Sequence, residues 1–157
     1  MIRPVVPRHP RKRARALCGR MHQVVAAADT LRAVLRARIV LHRGGFPGAQ
    51  RHYGLVHASA SALREEGGPP PAGSMLNAAA RVLRMPGLAS TCLPSSLALA
   101  EVIHRSGIPC HVVIGVGRWD GAFSAHAWVE TAGHRIDVTR TPPDLHREIE
   151  RFALGAA

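Results

Sequence analysis

Three observations predict an α+β fold. Apolar residues recur at helical spacing through the N-terminal half, a β-branched run follows Pro109, and two turn signals behind that run mark off two further strands. Helices first and antiparallel strands afterwards is the α+β order, and 157 residues suit one domain with a real core.

The elements follow in order. Residues 1–21 hold seven basic side chains, three prolines and few large apolar groups, the pattern of a basic flexible arm ahead of a single domain over residues 22–157. From Val24 the positions Ala28, Leu31, Val34, Leu35 and Ile39 form a helical stripe that Gly44-Gly45 stops. A second helix is expected from about Tyr53 to Glu66, so no strand is expected between Val24 and Ser74. Ser74 offers an N-cap for a third, with Met75, Ala79, Val82 and Leu83 on one face and Pro86-Gly87 at its close. A fourth starts around Cys92 and Pro94, presents Leu97, Val102 and Ile103, and breaks at Ser106-Gly107. The run His111 to Val116 reads as a buried strand. Asp120-Gly121 then turns the chain into a strand over about 124–131, and Ala132-Gly133 turns it into a third ending near Val138.

Composition narrows the function. Hydrophobic residues are 46% and charged ones 20%, a folded rather than disordered balance. The net charge is +11, but Lys12 is the only lysine, so part of the basicity reflects an arginine-rich codon bias; the remainder favours anionic partners. No apolar run is long enough to span a membrane, and the basic start lacks the apolar core of a signal peptide, so a cytoplasmic protein is expected. Cys18, Cys92 and Cys110 are odd in number and without CxxC spacing, which excludes a disulfide framework and a zinc ribbon. No HExxH spacing occurs among the histidines, so neither a metal nor another cofactor is expected. A nucleic-acid binder is disfavoured by aromatics at 4% and by the lack of a recognised binding motif.

The chemistry gathers in one span. Cys92 falls at the start of the fourth helix, where the helix dipole favours a thiolate nucleophile. His126 stands on the second strand with Trp128 and Glu130 on the same face. The hairpin around 131–133 places residues 137–139 opposite His126, and Asp137 lies in that window, where a carboxylate could orient the imidazole. Taken singly, each has a plainer reading: a small buried hydrophobe, a satisfied sheet histidine, a solvated strand end. Together they read as a Cys-His-Asp arrangement. Trp128, on the His126 face, could wall the site and touch substrate, Glu130 is the reserve orienter, and Cys110 reads as core. Ser95 and Ser96 lack the GxSxG elbow of a serine hydrolase.

The stretches Cys92-Leu93-Pro94-Ser95-Ser96-Leu97-Ala98-Leu99, Arg105 to Val116, and His126-Ala127-Trp128-Val129-Glu130 resemble the transglutaminase-like cysteine peptidases of lasso peptide biosynthesis, in their split, stand-alone leader peptidase form. The resemblance covers about residues 75–140. It implies a papain/transglutaminase-like core in which the nucleophile-bearing helix packs on a small antiparallel sheet, with Cys92 as nucleophile and His126 as base. In that family the carboxylate often comes one residue later, where Val138 stands, so Asp137 requires a hairpin one residue shorter; Ile136-Asp137-Val138-Thr139 still matches the broader apolar-Asp-x-Thr pattern. Pro94-Ser95 replaces a basic pair common among members. The implied activity is removal of the leader from a ribosomally made lasso precursor peptide. The implied partners are that precursor, a separate leader-recognition protein and a macrolactam-forming, asparagine-synthetase-like cyclase. Another transglutaminase-like acyl transferase or amidase is the alternative.

Overall fold

The computed structural model of the chain describes residues 10–62, 69–88, 91–139 and 141–155, with backbone alone for 10–20 and Trp119. Helix α1 spans Pro10–Tyr53, α2 Gly73–Leu83 and α3 Cys92–Arg105. Strands β1 (Val56–His57), β2 (His111–Trp119), β3 (Ala122–Thr131), β4 (His134–Ile136) and β5 (His146–Ala153) form one antiparallel sheet in the order β1-β5-β2-β3-β4. The α+β class stands.

Several expected boundaries move. The helical backbone begins at Pro10 rather than Val24, since Ala, Arg and Leu carry a helix through the basic stretch and proline is tolerated in the first turn; residues 1–9 of the expected arm lie outside the described residues. The predicted stop at Gly44-Gly45 is a kink: Gly45 adopts φ 57°, ψ −159°, and the chain resumes a helix that ends at Tyr53. The helix expected from Tyr53 is corrected, because Gly54 turns the chain at φ 58° and Val56–His57 adds to β5, so a strand does occur before Ser74. Residues 63–66 of that expected helix lie outside the described residues. Ser74 is inside α2 rather than at its cap, which is Ala72 with no side-chain cap bond.

Helix α3 is the centre of the molecule. Every residue from Ser95 to Ile103 is buried, as befits a helix covered by α1 on one side and the sheet on the other. Its Leu97 and Ile103 are fully buried, and Val34, Val112, Val129 and Phe152 are fully buried around it. Glu101, 8% exposed at its side chain, is held by Arg36 of α1 and by Arg105 at 3.0 Å, which pins α1 to α3 through a paired buried charge. Phe152 of β5 meets Phe46 edge-on at 5.3 Å, tying the last strand to the helical segment after the kink.

Both predicted hairpin turns are two-residue loops with positive φ, Asp120-Gly121 (50°, 79°) and Ala132-Gly133 (46°, 75°). The second sets the β3–β4 register, Glu130 opposite Arg135 and Thr131 opposite His134. Strand β5 bulges against β2 between Ile114 and Gly115, leaving Ile149 exposed. Two glycines of β2 permit close approaches on that side. A Cβ at Gly115 would lie 2.7 Å from the Trp128 ring, and one at Gly117 would lie 1.7 Å from the Leu145 carbonyl oxygen.

Gly117→Ala should therefore lower unfolding free energy by about 2–4 kcal/mol, since backbone rather than a flexible side chain must yield. Gly44→Ala, with nothing within 4 Å and no positive φ, should be neutral or slightly stabilising. Urea denaturation of both variants checks this, and equal midpoints would contradict it.

Candidate active site

His126 and its polar neighbours share one face of the sheet with Val113, and Val112, Val129 and Phe152 lie on the other. Cross-strand pairs Gly115–His126 and Val113–Trp128, with Arg151 opposite Val113, place His126, Trp128, Glu130, Arg135 and Arg151 together, away from α3. Ala127 and Val129 point the other way, and Val129 enters the core beneath α3. This is the alternation expected from the sequence.

On the polar face His126 is 6% exposed, and its Nε2 is bound to Asp137 Oδ2 at 2.6 Å. Strand β4 ends at Ile136, and in the β3–β4 register the position opposite His126 belongs to Thr139. Asp137 reaches the imidazole because the chain leaves the ladder and folds into a turn, in which Asp137 Oδ1 accepts from the Thr139 amide at 2.9 Å and from its hydroxyl at 2.6 Å. Arg135, two residues earlier and on the same face, donates to Asp137 Oδ2 at 3.0 Å and to the Pro143 carbonyl at 3.1 Å. Burial pushes the Asp137 carboxyl up, but hydrogen bonds from Thr139, His126 and Arg135 outweigh it and hold the group below the usual carboxylate range. With Nε2–H donated to Asp137, Nδ1 is the nitrogen left to take a proton.

The His126 ring lies between two others. Trp128 stacks against it at 6.1 Å and 25°, and His146 lies 5.1 Å away at 41°. The indole is 3% exposed, covered by the Arg135 guanidinium at 4.0 Å, so Trp128 contributes to the site by backing the imidazole. Its Nε1 donates to Glu130, whose other oxygen accepts from Arg151 at 2.7 Å, and Arg151 also binds Glu148. Glu130, the reserve orienter, is thus committed to Trp128 and Arg151 rather than to His126. His146 is held to Ser124 at 3.1 Å; burial and the charges of His126 and Arg135 push its pKa down.

Cys92 is the first residue of α3 and is half-buried. Thr91, the N-cap, makes no side-chain cap bond, so the first-turn amides are not engaged by it. One turn on, Ser96 donates to the carbonyl of Ala127 at 2.9 Å, at the edge of β3 left open where β4 stops. That bond fixes the start of α3 against the residue next to His126, with Cys92 one turn away on the same side of the helix. Among the described residues no hydrogen bond joins the Cys92 thiol to His126. Cys110 is 3% exposed with its Sγ bound to the Ala100 carbonyl at 3.4 Å, the core position expected. Cys18 lies where only backbone is described.

A family model for the transglutaminase-like superfamily matches residues 24–147. The chain belongs to the transglutaminase-like superfamily. No curated protein and no solved structure matches it. Membership gives a cysteine peptidase or acyl transferase type of chemistry, and the matched span contains the α3 start, His126 and Asp137 alike. Among the described residues no cluster of His, Cys, Asp or Glu could hold a metal ion, and no helix is long and apolar enough to cross a membrane.

From the sequence, Arg135 and His146 receive no role, and Ser96 is weighed only as lacking a serine-hydrolase elbow. Period-two spacing from Asp137 could have found Arg135. Ser96 had a signal only in hindsight of α3 packing, and His146 sits on a strand that was not foreseen.

Because its pKa is depressed on folding, Asp137 adds stability that is complete above the ordinary carboxylate value, about 3.9, and is lost as pH falls through its lower native value. The melting temperature of the parent protein should fall more steeply below about pH 4 than that of Asp137→Asn. Parallel curves would contradict the assignment.

Proposed function

We propose that this protein is a cytoplasmic cysteine endopeptidase that removes the leader from a lasso precursor peptide. The observation that carries the proposal is the buried His126–Asp137 hydrogen bond at 2.6 Å, on the strand against whose edge the Cys92 end of α3 is fastened. Superfamily membership supports the reaction type, and the likeness of the Cys92, Arg105–Val116 and His126 segments to the split leader peptidases supports the substrate.

In this reading His126 Nδ1 takes the proton of Cys92 Sγ as the thiolate attacks the scissile carbonyl, and the Cys92 backbone amide donates to the developing oxyanion. Asp137 holds the imidazolium that forms. The imidazolium then protonates the departing amine, leaving a thioester. Water, deprotonated by His126, attacks that thioester, and the free leader carboxylate and the Cys92 thiol are released. If an amine replaces the water the same acyl-enzyme yields transfer instead, and the product mass separates the two. Trp128 fixes the ring plane of His126 rather than offering open surface, and partnership with a leader-recognition protein and an asparagine-synthetase-like cyclase follows from the same likeness.

Cleavage of a lasso precursor followed by mass spectrometry tests the reading. Cys92→Ala should abolish cleavage and His126→Ala should be about as damaging, since the two act as a unit. Asp137→Asn should lose on the order of 10²-fold to 10⁴-fold, while Cys110→Ala and Glu130→Gln should stay active. A fully active Asp137→Asn with a dead Glu130→Gln would transfer the orienting role to Glu130. In the same assay, a leader-recognition protein should raise kcat/KM, and equal values with and without it would remove the partner requirement.

A further inference from the structure

Helix α1 carries two apolar faces, and the fold uses one. Thr30, Ala33, Val34 and Ala37 are at most 2% exposed and form the face packed within the domain. Met21, Val24, Ala28, Leu31, Leu35 and Ile39 follow one another at steps of three and four and lie on roughly the opposite side of the helix. All six are exposed, Met21 at 70%, Val24 at 68% and Ile39 at 52%. The row runs for about 27 Å at the helical rise per residue. At its start it borders an open groove between α1 and α2, lined by Val24, Ala27, Val82 and the half-exposed Met85. A scattered exposed leucine needs no account, but a continuous row of this length does.

We propose that this row docks an amphipathic helix of a partner protein whose flanks are acidic. The three-and-four spacing is that of a helix-pairing seam, in which the side chains of one helix enter the gaps of another. Charge decides the occupant. Along the row, at helical spacing, Arg32 and Arg43 follow one rim and Arg38 the other; Arg32 is 75% exposed at its side chain and lies 3.7 Å from Asp29, the single acidic residue between Met21 and Arg43. A second copy would bring two such helices together and set like charges along both rims. An acidic helix meets them with the opposite sign. A lipid surface suits the row less well, since it is narrow and has no Trp, Tyr or Phe to sit at the interface. The surface is separate from the His126 site, so the proposal stands or falls independently of the peptidase reading.

The test uses the whole chain and a labelled three-heptad peptide with Leu along its seam and Glu on its flanks, followed by fluorescence anisotropy. The parent protein should bind it, a Lys-flanked version should not bind, and added salt should weaken the complex. Leu31→Gln/Leu35→Gln should weaken binding about tenfold or more, with an unchanged melting temperature because both residues are exposed. Binding unaffected by that double substitution, or equal for the two peptides, would overturn the proposal. So would a dimer in sedimentation that the substitution dissociates, or adsorption to phosphatidylserine vesicles that it abolishes.

Discussion

A carboxylate and an imidazole shut away from water, at 9% and 6% side-chain exposure, must be satisfied by one another and by whatever surrounds them. Asp137 and His126 meet this constraint with a single short hydrogen bond, and much of the sheet is arranged to keep it. Thr139 and Arg135 fill the remaining acceptor positions of the carboxylate. Arg135 is itself spread over Trp128, and Trp128 is tied through Glu130 to Arg151 and Glu148. A chain of ion pairs and ring contacts therefore runs from β4 across β3 to β5, and each link fixes the plane of the imidazole more tightly. Burial raises the strength of such bonds and the cost of leaving one unmade.

The same sheet solves a second problem with its other face. Val112, Val129 and Phe152 cover α3, while the carbonyl of Ala127, beyond the end of β4, is taken by Ser96. A short β4 thus has two consequences: it frees Asp137 to fold back on His126, and it opens the edge at which Ser96, one turn into α3, is fastened. The two-residue turn at Ala132-Gly133 sets where β4 begins, and so where it ends. Ala132 accepts a left-handed backbone at φ 46° to make that turn, a conformation costly for a residue with a Cβ.

Local signals carried much of this. The helix start at Cys92, both hairpin turns, the shared face of His126, Trp128 and Glu130 and the placement of Asp137 all depend on residues within one hairpin or one helical turn, and each was legible in the sequence. What was not legible depends on partners distant in the chain. Val56–His57 is a strand because β5 offers it an edge, and two residues leave no periodic trace. His146 to Ala153 alternates poorly because its bulge interrupts the period, which hid both the strand and His146. Ser96 matters through a carbonyl thirty-one residues away, and nothing local to it announces that bond. Glu130 shares the face of His126, yet Arg151, from the unforeseen strand, claims it.

In the proposed mechanism Cys92 and His126 work as one unit across the open edge of β3. Alkylation by iodoacetamide, with the modified cysteine identified by peptide mass spectrometry, tests it most directly because it reads thiol reactivity without needing the substrate. Cys92 should be labelled first, and His126→Ala should slow its labelling severalfold or more while the fold is retained. Labelling of Cys110 or Cys18 ahead of Cys92, or a Cys92 labelling rate indifferent to His126→Ala, would contradict this pairing.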